Sequence, residues 1–275
     1  MPELPEVETE RGRLAARIEG KRIASARIDD VRLTRPDDPQ LVAARIEGDT
    51  VAAVERRGKY IVARFASGHV LLVHLRMTGG FRYEPATHER AVLELDDGTR
   101  IAYRDLRRFG TWALLDDDEA ERQLAIKNGP EPLGRKFTTA FLAGRLAGRR
   151  APVKAAILDQ RTVAGLGNIY ADEALWHARI NPLRPAGELS SDEIAALRDG
   201  IRKALRLGIR RQGADLGDGA YVGGRMQKEL KVYGRDREPC DRCGTPIAKT
   251  RVAGRGTWFC PVCAVDSKSD GRPDV

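Results

Sequence analysis

The chain reads as an α+β protein in two parts, strand-rich to about residue 130 and helical beyond it, closed by a cysteine hairpin. Three observations carry that reading. Clusters of β-branched residues fill the first part, apolar residues fall at helical spacing in the second, and four cysteines gather in the last 36 residues. A length of 275 residues leaves room for two ordinary domains and a core that needs no dense disulfide framework.

The elements follow in order. A first helix is expected from Val7 through Ile18, closing at Gly20. Val51 to Phe65 and His69 to Leu75 read as strand, parted by the turn residues Ala66-Ser67-Gly68. Val92-Leu93-Glu94-Leu95 runs through Asp96-Asp97-Gly98 into Ile101-Ala102-Tyr103, a hairpin with Asp-Gly at its turn. Asn128-Gly129-Pro130-Glu131-Pro132-Leu133-Gly134 is the best domain break. Val153 to Leu158 and Ile169 to Trp176 then read as short helices around Gly165-Leu166-Gly167-Asn168. Ser190 with Glu193 forms a capping box for a helix carrying Ile194, Leu197, Ile201 and Leu205, ending near Gly213. The expected partition is therefore 1–130, 135–230, a cysteine hairpin over 231–266, and a disordered polar tail over 267–275.

Composition narrows the function. With 41% apolar and 32% charged residues, the chain is neither low-complexity nor wholly disordered. Its best apolar run, Val70-Leu71-Leu72-Val73, falls far short of the ~20 residues of a membrane span. Acids at Glu3, Glu6 and Glu8 stand where a secretory leader carries basic and then apolar residues, so a cytoplasmic location is expected. The net charge of +8 is local: residues 202–255 hold 14 Lys or Arg against 6 Asp or Glu, and the remainder balances. Such an excess suits a polyanion partner or, equally, a solubilising face.

Cys240-x-x-Cys243 and Cys260-x-x-Cys263 are two identical knuckles separated by 16 residues. Each turn offers two thiolates to one side of a tetrahedral ion, and two turns close the site, which predicts one structural Zn2+ rather than a catalytic one. A pair of disulfides is the competing reading, disfavoured because nothing else points to an oxidising compartment.

The start is also a potential reagent. Removal of Met1 would expose the secondary amine of Pro2, which can attack an aldehyde-like carbon and form an iminium, with Glu3 beside it to move protons and Lys59 as a second positive charge. Alone, the commoner meaning of Pro-Glu at a terminus is a polar beginning.

The ensemble changes that balance. Met1-Pro2-Glu3-Leu4-Pro5-Glu6-Val7-Glu8-Thr9, His74-Leu75-Arg76-Met77-Thr78-Gly79, Asp105-Leu106-Arg107-Arg108-Phe109-Gly110, Gly165-Leu166-Gly167-Asn168-Ile169-Tyr170 and the cysteine hairpin occur in that order. Together they resemble the bacterial formamidopyrimidine-DNA glycosylases, from residue 2 to about 264. The resemblance implies an N-terminal β-sandwich with flanking helices, then a C-terminal helical helix–two-turn–helix domain with a β-hairpin zinc ribbon. DNA would lie in a basic cleft between them.

It also implies a monomeric, bifunctional DNA glycosylase and abasic-site lyase acting on double-stranded DNA with oxidised purines or abasic sites. Carried over by motif, Pro2 is the nucleophile, Glu3 the general acid/base, and Lys59 the active-site lysine. Met77, Arg107 and Phe109 match the residues that fill the hole left by an extruded nucleotide, where thioether and ring can wedge a step and a guanidinium can bond an orphaned base. Asn168 follows two glycines that let the chain approach DNA closely and open a helix whose dipole faces an anion, while Lys154 and Arg255 match family positions that grip phosphates flanking the lesion, Arg255 with the catalytic set; Cys240, Cys243, Cys260 and Cys263 match the zinc ligands.

Two departures stand out. Arg76 replaces a glycine common in the family, and Gly213 to Met226 lacks the usual pattern of the loop that caps an oxidised purine. An endonuclease VIII-like preference for oxidised pyrimidines, and a zinc-ribbon protein that binds damaged DNA without cutting it, are the alternatives.

Overall fold

The computed structural model describes residues 1–215 and 223–264. The expected capping loop therefore lies partly, and the expected tail over 267–275 wholly, outside the described residues. The chain divides into two compact units, Met1–Lys127 with Arg211–Arg225, and Asn128–Arg210 with Met226–Val275. The segment that closes the sequence-based helical domain thus packs with the first unit. One reason is local: the Ala214 N–H donates to the buried Glu6 carboxylate at 2.7 Å.

The first unit opens with α1 (Leu4–Ile18), β1 (Ile23–Ile28) and α2 (Pro39–Ile46). The strands β2 (Val51–Arg57), β3 (Tyr60–Phe65), β4 (His69–His74), β5 (Gly79–Arg82), β6 (Glu89–Leu95), β7 (Arg100–Asp105) and β8 (Thr111–Asp116) follow, and then α3 (Asp117–Lys127). Helix α1 begins three residues before the apolar period suggests, because Pro5 sits in the first turn, where a missing N–H leaves no bond unmade. The strands make two antiparallel sheets, ordered β1-β6-β7-β5 and β2-β3-β4-β8.

One core joins them: Leu93, Ile101, Tyr103 and Phe81 from the first sheet, Ile61, Ala63, Leu71 and Trp112 from the second, sealed by Val7, Leu14 and Ile18 of α1. The outer face of the second sheet is also apolar, and α3 covers Val62, Val70 and Leu72 with Ala120 and Leu124. That double burial explains why β3 and β4 read as unbroken apolar runs.

The second unit contains α4 (Thr139–Leu146), α5 (Val153–Leu158), α6 (Asn168–Ala178), α7 (Ser191–Arg210) and the hairpin β9 (Ala248–Val252) with β10 (Arg255–Phe259). The capping box at α7 forms in both directions: Ser190 N–H donates to Glu193 Oε2 at 2.8 Å, and Glu193 N–H to Ser190 Oγ at 3.3 Å. Between α5 and α6 the Gln160 amide pins the turn. It donates to the carbonyls of Leu158 and Leu166 and accepts from the Gly165 N–H. Among the described residues, no helix is long and apolar enough to cross a membrane.

Candidate active site and nucleic-acid interface

Pro2 and Glu3 are buried at the mouth of α1, Glu3 as the residue just before the helix. Three residues on, Glu6 is 2% exposed and accepts the Glu3 N–H through Oε2 at 2.8 Å and the Ala214 N–H through Oε1 at 2.7 Å. One carboxylate therefore joins the chain start to the base of the 213–226 segment. Lys59 is buried in the turn between β2 and β3, which is itself tied to α1. Arg56 spans the gap, its Nε 2.9 Å from Glu8 Oε2 and its Nη1 donating to the Gly58 carbonyl at 3.0 Å.

His74, at the end of β4, stacks edge-on against Tyr60 with ring centroids 4.8 Å apart. Burial first, then the positive charges of Arg76, Lys59 and Lys127, hold its pKa down to about 3, so the ring is neutral and its Nδ1 accepts the Arg76 N–H at 3.0 Å. Arg76 adopts φ 53°, the left-handed region that a glycine enters without strain. The departure from the family pattern at this position therefore costs about 1–2 kcal/mol of backbone energy.

Met77 is half-buried, whereas Arg107 is exposed and Phe109 is 51% exposed. A core role for Phe109 is thereby excluded. The Arg107 guanidinium lies 4.9 Å from the centroid of the Phe109 ring, so cation and aromatic face form one exposed pair.

In the second unit the hairpin turns through Ala253 (φ 49°) and Gly254 (φ 75°), a two-residue loop with both central angles positive. It leaves Arg255 exposed at the first position of β10. Its neighbour Gly256 is held from behind. Lys154 Nζ donates to the Gly256 carbonyl at 2.8 Å and Asn168 Nδ2 does so at 3.0 Å.

Lys154 lies deeper than its place in the sequence suggests. Its side chain is fully buried and paired with Asp172 at 2.8 Å, with Thr257 Oγ1 a further 2.9 Å contact. The enclosed ammonium acts on the hairpin backbone. Burial pushes the Asp172 carboxyl up to about 7, against the opposing pull of Lys154. Sequence reasoning also missed the adjoining Glu173, whose buried carboxylate accepts the N–H groups of Lys231, Val232 and Tyr233 at 2.9–3.1 Å and so docks the turn that leads into the cysteine module.

The four cysteine sulfurs lie within 4.8 Å of one another. Cys240–Cys263 is 4.0 Å, Cys243–Cys260 3.5 Å and Cys243–Cys263 3.4 Å. Zn–S bonds of 2.3 Å in a tetrahedron place sulfurs about 3.8 Å apart, so this set fits one structural zinc and no disulfide. The site packs on Trp176 of α6, whose ring also carries the Arg242 guanidinium at 3.6 Å.

The chain matches family models for the formamidopyrimidine-DNA glycosylase N-terminal domain over residues 1–112, its H2TH domain over 128–218, and the zinc finger found in FPG and IleRS over 237–265. It is 44% identical over 272 residues to formamidopyrimidine-DNA glycosylase of Roseiflexus sp., covering 96% of this chain and 99% of the relative. The chain belongs to the formamidopyrimidine-DNA glycosylase family. Among solved members it is similar to the MutM (Fpg) protein of Thermus thermophilus, with TM-score 0.86 and 41% identity over 95% of this chain and 98% of the other. It is equally similar to Lactococcus lactis Fpg in complex with DNA containing an abasic site, with TM-score 0.88 and 37% identity over 96% and 100%.

Proposed function

We propose that the protein is a bifunctional DNA glycosylase and abasic-site lyase of base excision repair, acting on oxidised purines in double-stranded DNA. The observation that carries the proposal is the placement of Pro2 at the mouth of α1, with Glu3 fixed by Glu6 and the Lys59 turn tied to the same helix.

Once Met1 is removed, the Pro2 nitrogen carries a lone pair. It attacks C1′ of the damaged nucleotide, and the glycosidic bond breaks with its electron pair leaving on the base, which takes a proton. Opening of the sugar ring yields an iminium between Pro2 and C1′. Glu3 moves the protons: loss from C2′ expels the 3′ phosphate, loss from C4′ expels the 5′ phosphate, and water releases the sugar remnant from Pro2. The Lys59 ammonium, buried in its turn, supplies positive charge to the departing anions.

Met77, Arg107 and Phe109 fill the gap in the duplex, where extrusion costs a few kcal/mol and least for a damaged base. Arg255 contacts a flanking phosphate, held in place by Lys154 and Asn168. The four cysteines hold zinc as a structural ion that stabilises the module below Arg255. A cytoplasmic location, on the nucleoid, goes with such a substrate.

The test is strand nicking at abasic and 8-oxoguanine sites by two preparations separated by intact mass, one trimmed and one retaining Met1. Trimmed protein is expected to nick both substrates. The Met1 form is expected to nick neither, because the amide nitrogen of an internal proline is not a nucleophile.

A further inference from the structure

We propose that Asp105, acting with Thr78, is the positioning residue of the wedge: a single buried carboxylate that holds the Met77 loop and the Arg107–Phe109 loop in register. The proposal rests on the reading of Met77, Arg107 and Phe109 as the gap-filling residues.

Those side chains stand on different connections, Met77 between β4 and β5, Arg107 and Phe109 between β7 and β8. Loops are ordinarily the least fixed part of a fold, yet a wedge works only if its parts enter one gap together. Asp105, the last residue of β7, is 1% exposed. Its Oδ1 accepts the Thr78 hydroxyl and, at 3.2 Å, the Arg107 N–H; its Oδ2 accepts the Gly110 N–H at 2.7 Å. Thr78 Oγ1 in turn accepts the Arg107 N–H at 3.0 Å. The carboxylate thereby grips the residue after Met77, the backbone of Arg107 and the residue after Phe109.

Sterics tighten the same knot. A Cβ added at Gly79 or at Gly110 would lie 2.1 Å from the Tyr103 hydroxyl, so both loops lie directly on that ring. On the outside, Arg108 turns back through φ 57° and meets Asp30 with two bonds of 2.6 and 2.8 Å, leaving Arg107 and Phe109 pointing to solvent. The anchors lie on the backbone, on the Thr78 hydroxyl and on Arg108, and the Arg107 and Phe109 side chains stay exposed.

Asp105→Asn turns one acceptor oxygen into an N–H2 facing donors. Losing such charge-assisted bonds corresponds to about a ten- to hundredfold fall in a step that depends on them. That fall is expected in excision of 8-oxoguanine from duplex, together with a weaker discrimination among the four bases placed opposite the lesion. Cleavage of a single-stranded abasic oligonucleotide has no opposing gap to fill, and is expected to change less than about twofold. Thr78→Val removes the bridging hydroxyl at equal volume and should show the same split. Thr78→Ser restores the hydroxyl and should restore duplex excision, which decides the matter if Asp105→Asn fails to fold.

Equal losses on both substrates, or no loss of duplex excision in the Thr78→Val protein, would overturn the positioning role. Phe109→Ala and Arg107→Ala separate the two layers of the argument. If they abolish duplex excision and opposite-base preference while the Asp105 and Thr78 variants do not, the positioning inference alone fails. If they leave both intact, the wedge reading fails and takes the inference with it.

Discussion

The Met77–Phe109 loops and the Arg255 hairpin are held by different physics. Each presents exposed side chains on short turns, and each turn is anchored from behind by a buried carboxylate. At the loops, Asp105 accepts N–H and O–H groups, and neutral His74 accepts the Arg76 N–H. At the hairpin, Asp172 accepts the Trp258 N–H at 3.1 Å and pairs with a fully buried Lys154, whose ammonium reaches the Gly256 carbonyl beside the turn. A carboxylate solvated by donors depends on many modest bonds. A buried ion pair depends on its partner, and is fragile to loss of one member while tolerant of losing both.

That contrast can be broken most severely at the hairpin. Lys154→Met leaves Asp172 buried without its cation and should lower stability by about 3–5 kcal/mol in chemical denaturation. The double variant Lys154→Met with Asp172→Leu should recover most of the loss. A double variant no more stable than the single one would mean that the bonds to Gly256 and Thr257 dominate instead.

Acid probes the other anchor. The folded His74 ring stays neutral down to about pH 3, while in the unfolded chain it takes a proton near 6.5. Its contribution is therefore complete above pH 6.5 and lost as pH falls. By pH 5 the loss should be about 2 kcal/mol, read from denaturation midpoints at pH 7.5 and 5. His74→Gln should flatten that part of the slope, and an unchanged slope would place the titration elsewhere.

The smallest expected effect is at the exposed end of the hairpin. Arg255→Ala removes one phosphate contact, so log K against log salt should become shallower by about 0.9, uniformly across DNA sequences. An unchanged slope would remove Arg255 from the interface.

What the sequence disclosed follows from range. The cysteine pairs, the Ser190–Glu193 box, the Asp-Gly turn and the bounds of α5 are encoded within a few residues, and each forms as its local chemistry directs. Short α2 and α4 escaped notice although Asp38 and Thr138 cap them, and α3 escaped because only Ala120 and Leu124 mark its buried face. The anchoring acids were illegible for a different reason. A carboxylate in a sequence reads as solvated, and one of the two donors to Glu6 lies 208 residues away. Lys154 shows the same limit: its family position could be read, but its enclosure by Asp172, Gly256 and Thr257 exists only in the fold.

The central claim concerns the chain start, and borohydride trapping addresses it directly. Trimmed protein, turning over abasic duplex in the presence of the reductant, should accumulate a covalent protein–DNA adduct whose peptide linkage maps to Pro2, and Pro2→Gly should sharply diminish it. Strand cleavage by trimmed protein with no adduct formed, or an adduct mapped to a lysine side chain, would contradict the account.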